Sequence, residues 1–269
     1  MTEPAATPIE VKVTAPVGTI LLNGPEQGNT LSRQTLAELA TAIQDLHRDS
    51  RARAIVLTGA GDTFTTGHDL VEMARDHETK PDNAVELHQQ WGDQADDVQQ
   101  LLAELLEFPK PVIAAVNGPV AGLGVALLMA SDMVLACDTA ELSLPEAKQG
   151  LVAGLTAPLV AYRTNAAIAA RLAVLGQTLE AVEAHRLGLY HEIVPQHLLW
   201  ARAMELGSAA ATASPQAVSL TKRLLMETIG EKLLTDLASG SIALATSRTT
   251  PAAEEGLKAA AEGREPVWD

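Results

Sequence analysis

Three short stretches of the chain carry residue types that could act together on a carbonyl compound. Gly67-His68-Asp69 follows a strand-like run and a loop, and Gly122-Leu123-Gly124 opens an apolar helical run directly after a strand and a turn. The first turn of a helix leaves N–H groups without partners at the positive end of the helix dipole, which suits an oxygen that gains negative charge. The third stretch, Leu144-Pro145-Glu146, sets a carboxylate just beyond a strand, where it could take and return a proton. Spacing alone leaves plainer readings open, because glycines are most often turn residues and a lone glutamate is most often solvated.

Other motifs fail on context. The strand RAIVLT (53–58) runs into Gly59-x-Gly61-x-x-Phe64, which half-matches a dinucleotide fingerprint. Its third glycine is Phe64, and TTGHDL does not open a helix where that fold needs one. Ser219-Leu-Thr-Lys222 has the S-x-x-K spacing but falls in mid-helix without companion motifs. No G-x-S-x-G, Walker A or H-E-x-x-H sequence is present. His185, His191 and His197 are evenly spaced yet cross a helix end, a strand and a loop start, so capping or solvated roles outweigh a metal site. The single cysteine, Cys137, excludes a disulfide framework and a cysteine-rich metal centre and fits a reducing cytoplasm. Neither a metal nor a tightly bound cofactor is expected.

The elements that must position these stretches alternate in type. Ile9–Val13 and Thr19–Leu22 read as strands around a turn at Ala15-Pro16-Val17-Gly18, and Leu36, Leu39, Ile43 and Leu46 form one helical stripe. After RAIVLT come a long polar-faced helix over Asp82–Glu107, the strand PVIAAV, a helix over Gly122–Ala130, and strands at Asp132–Ala136 and Glu141–Leu144. Beyond Gly150 the pattern is almost wholly helical. Thr178 reads as the N-cap of a helix ending before Gly188, Ser214-Pro215 opens a helix to about Met226, and further helices start at Glu231 and Pro251. Alternating strands and helices imply an α/β fold with a parallel-type sheet, followed by helices.

Composition bounds the function. Of 269 residues, 47% are hydrophobic, and 34 acidic against 19 basic residues give a net charge of −15. That apolar fraction builds a core and excludes an acidic disordered chain. The charge disfavours nucleic acid, anionic membranes and phosphate-rich ligands. The start, MTEPAATPIE, lacks the apolar region of a secretory signal. Pro111–Ser131 is uncharged and long enough to span a bilayer, but Asn117-Gly118-Pro119 breaks it into a buried strand and a buried helix. A cytoplasmic protein without a membrane partner is the expectation.

The same stretches carry a resemblance. FTTGHDL (64–70), KPVIAAVNGPVAGLGVALLMASDMVLA (110–136), ELSLPEAKQGLV (141–152), TLEAVEAHRLGLYHEIVP (178–195) and EEGLKAAAEGREPVW (254–268) are similar, in order, to motifs of the crotonase, or enoyl-CoA hydratase/isomerase, superfamily. The resemblance implies a crotonase-type ββα spiral core over residues 1–195 and a C-terminal helical trimerisation region over 196–269. It implies a homotrimer or hexamer acting on a small acyl substrate, with coenzyme A as part of that substrate rather than a bound cofactor.

By motif position the resemblance makes the N–H groups of His68 and Leu123 the oxyanion donors and Glu146 the proton carrier. Pro25, Gln27, Thr66, Gly67, Gly122 and Trp91 fall where relatives bind substrate or CoA. Hydratases of the superfamily use a second glutamate on the helix after the glycine cluster, and Ala126 stands at that position. One carboxylate suffices for an isomerase-type proton shuttle, whereas hydration needs a second group, which an Ala126→Glu change would restore. The N-R-P loop of relatives reads Asn23-Gly24-Pro25 here, and Ala260 and Gly263 replace the C-terminal Phe and Lys, with Arg264 retained. Weak CoA binding, a carrier-bound substrate and a substrate without CoA all fit those losses. Two alternatives stay open: a C–C bond-forming, C–C-cleaving or decarboxylating homologue, and a catalytically degraded accessory subunit.

Overall fold

The computed structural model describes residues 7–81 and 83–268. Asp82 and most of the N-terminal MTEPAATPIE segment lie outside the described residues.

β1 (Ile9–Thr14) and β2 (Val17–Leu22) form an antiparallel hairpin whose register, Thr14 opposite Val17, confines the turn to Ala15-Pro16. Val17 and Gly18, expected in the turn, therefore belong to β2. From β2 onward the main sheet is parallel, in the order β1-β2-β3-β4-β6-β9, with β3 at Ala54–Gly59, β4 at Val112–Val116, β6 at Met133–Cys137 and β9 at Glu192–Val194. β3 and β4 are buried at every residue, so they read as continuous apolar runs rather than alternating ones.

Helices cover this sheet. α1 (Arg33–Arg48) is capped by the Ser32 side chain and buries Leu39, Ile43 and Leu46, three residues of the expected stripe. α2 (Leu70–Glu78) starts at the Asp69 cap, so TTGHDL does lead into a helix, though one well beyond Gly61. α3 spans Ala84–Leu106 and α4 spans Leu123–Ala130. Every residue of α4 is buried, which explains the membrane-like stretch 111–131 as β4, a break and a core helix. Among the described residues no helix is long and apolar enough to cross a membrane.

A second, small sheet holds β5 (Val120–Ala121), β7 (Glu141–Ser143) and β8 (Thr178–Glu180), in that order. β8 corrects the cap expected at Thr178. That residue pairs with Ser143, and α7 (Ala181–Arg186) begins after Glu180 with no side-chain cap. Strand pairing has overridden a local cap preference. The remaining helices are α5 (Thr156–Arg163), α6 (Ala166–Leu175), α8 (Gln196–Ala210), α9 (Pro215–Thr228), α10 (Glu231–Ser247) and α11 (Pro251–Glu262). The Ser214 side chain accepts from Ala217 N–H at the start of α9, as its sequence implies. α8 packs on β3 and β4, α10 on α3, and α11 on α2.

Candidate active site

The two-residue strand β5 brings the three chemical stretches together. On one side it bridges Thr65, with the Ala121 N–H donating to Thr65 O (3.0 Å). On the other it pairs with β7, and the Gly122 N–H donates to Ser143 O (3.0 Å). The chain leaves β5 into α4, leaves β7 into Pro145-Glu146, and leaves Thr65 into Gly67-His68. All three loops thus emerge side by side.

Gly67 is what permits their close approach. Its φ is +87°, and a Cβ there would lie 2.7 Å from Ala121 O and 3.2 Å from Leu123 N. Any side chain would be strained and would crowd the N–H of Leu123. Gly122, at φ +51°, caps α4 beneath the Glu146 carboxyl, with a built Cβ 3.6 Å from Oε1. Leu31 N–H donates to Gly67 O and Gly67 N–H to Thr65 Oγ1, yet the N–H groups of His68 and Leu123 find no acceptor among the described residues. Both residues border one cavity with Glu146, Leu123 at the start of a fully buried helix.

Glu146 opens a single 3-10 turn, Glu146–Gln149, whose carbonyl accepts from Leu151 N–H (2.9 Å). Its side chain is buried, at 5% exposure. The Thr156 hydroxyl lies 3.2 Å from Oε1 and 3.4 Å from Gly122 O, while Oε2 is buried with no partner. Loss of hydration raises the Glu146 pKa, against the smaller opposing pull of Thr156. His68 is half-buried. Burial and, next, the positive charge of Arg248 hold its imidazole down at about 4, so it is neutral at physiological pH.

Thr66, His68, Gly122, Leu123, Glu146 and Thr156 are among the residues lining one cavity of about 20 Å³, room for roughly one water. A second cavity, of about 40 Å³, shares His68 and Leu244 with the first and is lined by Trp91, Gln94 and Arg248. Trp91 therefore sits one chamber away from Glu146, buried and stacked on His77, with ring centroids 4.5 Å apart. Pro25 and Gln27 are exposed in a separate 3-10 turn that line neither cavity. That turn reaches the site through Gly28, whose carbonyl accepts from Thr66 N–H (3.0 Å). A larger cavity, of about 590 Å³, lies between α8 and the sheet and contains none of the expected site residues.

Ala126 is fully buried and lines neither chamber. Arg264 is engaged inside its own chain, by Glu255 (2.5 Å) and Glu262 (2.6 Å). Local sequence gave no sign of Thr156, Asp76, His77 or Arg248. Only the apolar segment flanking Thr156 hinted that a hydroxyl there is buried. Among the described residues no cluster of three or more His, Cys, Asp or Glu side chains could hold a metal ion.

Comparisons with known proteins agree with this architecture. The profile of the enoyl-CoA hydratase/isomerase family matches residues 12–269. A Thermus thermophilus protein assigned as an enoyl-CoA hydratase is 34% identical, over 93% of this chain and 96% of its own. The 2,3-dehydroadipyl-CoA hydratase of Escherichia coli is 30% identical over 92% of each chain, and its 1,2-epoxyphenylacetyl-CoA isomerase is 32% identical over 78% of each. The crystal structure of an enoyl-CoA hydratase/isomerase from Xanthobacter autotrophicus superposes with a TM-score of 0.86 at 26% identity, covering 95% of this chain and 93% of the other. The match over nearly the whole chain, together with the largely parallel α/β architecture, places this protein in the enoyl-CoA hydratase/isomerase family of the crotonase superfamily.

Proposed function

We propose that the protein is an acyl-thioester isomerase that moves a double bond through an enolate, with Glu146 as the only proton carrier. The observation that carries this reading is one buried carboxylate, with a free oxygen, on the wall shared by the unpaired N–H groups of His68 and Leu123. The Glu146 carboxylate removes a proton from C2 of a 3-enoyl thioester. The electron pair spreads over C2, C3, C4 and the thioester oxygen, which the two N–H groups stabilise by roughly 3 kcal/mol each. The same carboxyl then returns its proton to C4, giving the conjugated 2-enoyl thioester with atoms and charge balanced. A raised pKa suits a group that must both take and give back a proton. Hydration in this family uses a second carboxylate to handle water, and Ala126 supplies none.

Coenzyme A is the thioester carrier in this reading, held as substrate at the exposed Pro25–Gln27 turn. The engagement of Arg264 by Glu255 and Glu262 favours weak phosphate contacts, so a carrier-protein thioester is the second reading. Residues 196–269 form the assembly region of a homotrimer or hexamer, a role supported by exposed Leu220, Leu224 and Ile229 on and beside α9. Light scattering that returns a monomer mass contradicts that role. Appearance of conjugated enoyl thioester from a 3-enoyl-CoA tests the activity. Rapid formation of 3-hydroxyacyl-CoA from a 2-enoyl-CoA would overturn the isomerase assignment.

A further inference from the structure

The chamber behind His68 is lined largely by apolar side chains, among them Leu31, Met73 and Val98, with a polar wall at Trp91 and Arg248. Trp91 and Arg248 on its wall are 1% and 4% exposed, and each holds a buried N–H, Nε1 and Nε, with no hydrogen-bond partner. The rest of the guanidinium is engaged: Nη1 donates to Gln94 Oε1 (2.6 Å) and Nη2 to Asp76 Oδ2 (3.5 Å), while Cζ sits 4.8 Å from the Trp91 ring centroid. Gln94 Nε2 also donates to Asp76 Oδ2 (3.3 Å), and Arg33 pairs with Asp76 Oδ1 (3.2 Å) and Glu72. The network fixes the arginine from one side and leaves its Nε unanswered. Buried donors without acceptors are costly, and a 40 Å³ space beside them holds a small polar group.

We propose, resting on the isomerase reading above, that this chamber is a specificity subsite for the far end of the acyl group, taking a terminus that carries an uncharged hydrogen-bond-accepting oxygen, such as a hydroxyl or a ketone. The chamber adjoins the reaction cavity, with His68 and Leu244 lining both. Charge decides between neutral and ionised oxygen. Arg33 and Arg248 on the wall are outnumbered by Asp69, Glu72 and Asp76, so the wall offers free donors without a positive surplus. A methyl terminus would leave Trp91 Nε1 and Arg248 Nε unpaired, the kind of mismatch by which polar sites reject apolar analogues.

The test compares kcat/KM for isomerisation of three 3-enoyl-CoA thioesters of matched length, ending in methyl, hydroxyl and carboxylate. The hydroxyl-ended substrate is expected to lead the methyl-ended one by at least tenfold, and Trp91→Phe and Arg248→Met are each expected to shrink that ratio severalfold. Trp91→Phe keeps an aromatic side chain while removing Nε1, and serves if Arg248→Met fails to fold. Equal use of methyl and hydroxyl ends, a lead for the carboxylate, or ratios untouched by both variants overturns the subsite and leaves the isomerase reading standing. Calorimetry with the saturated acyl-CoA counterparts separates the two claims. A hydroxyl preference in binding that falls in Trp91→Phe, without turnover of any 3-enoyl substrate, keeps the subsite and removes the isomerase, and no binding by any of them removes both.

Discussion

The two chambers that meet at His68 differ in the kind of group they leave unpaired. On the Glu146 side the buried side-chain orphan is an acceptor, Oε2, facing a space that also borders two free backbone N–H groups. On the Trp91 side the orphans on the wall are donors, Trp91 Nε1 and Arg248 Nε, with the guanidinium held by Asp76 and Gln94. An unpaired acceptor with a raised pKa is equipped to move a proton; unpaired donors that stay protonated are equipped to recognise an oxygen. The same physical cost, burial without a partner, therefore points to chemistry in one chamber and selection in the other.

The largest effect should come from the acceptor side. Glu146→Gln is expected to lower kcat for isomerisation by about 10³-fold, read by the conjugated-thioester absorbance. Its stability should move the other way. Because burial raises the folded pKa of Glu146, the ionised side chain destabilises the fold. That penalty is absent below the ordinary carboxylate range and complete once the pH exceeds the raised folded value. Glu146→Gln should therefore melt higher than the parent at alkaline pH and no higher in acid. Next in size, Gly67→Ala places a Cβ 2.7 Å from Ala121 O and 3.2 Å from Leu123 N, and should cut kcat by about 10²-fold. An unchanged kcat in that variant would show that the Leu123 N–H takes no part.

The donor side breaks more gently. His77 stacks on Trp91, and burial, then Arg248, lower its pKa from near 6.5 to about 4. A base whose folded pKa is depressed contributes stability that is whole above its unfolded pKa and fades as pH falls from about 6.5 towards about 4. His77→Phe should flatten this acid limb in chemical denaturation, and an unaltered limb would place the proton uptake elsewhere, with His68 next in line. Smallest of all, Arg264→Ala should change KM for a CoA thioester by less than about twofold, since exposed pairs with Glu255 and Glu262 already engage that guanidinium. A severalfold rise in KM would give Arg264 a role in CoA binding after all.

Much of this architecture was legible from local pattern. The 3.6-residue stripe of α1, the apolar runs of β3 and β4, the Ser214-Pro215 start of α9 and the break at Asn117-Gly118-Pro119 are each written within a few neighbouring residues. The motif order also placed Gly67, Gly122 and Glu146, which the fold gathers at β5. What escaped was long-range. β5 is two residues long and exists only because Thr65 and β7 flank it, and Thr178 abandons a cap to pair with Ser143. Arg248 meets Asp76, Gln94 and Trp91 across distant helices, so no window of sequence contains the donor chamber. Ala126, at the motif position of a second glutamate, lines neither cavity wall.

The most direct test of single-carboxylate proton transfer is parallel assay of one preparation with a 3-enoyl-CoA and with the matching 2-enoyl-CoA, following conjugated thioester in the first and 3-hydroxyacyl-CoA in the second. Isomerisation that disappears in Glu146→Gln, with hydration at least about 10²-fold slower, is the predicted result, on the scale that one missing acid–base group costs. Hydration as fast as isomerisation, or isomerisation that survives Glu146→Gln, would contradict it.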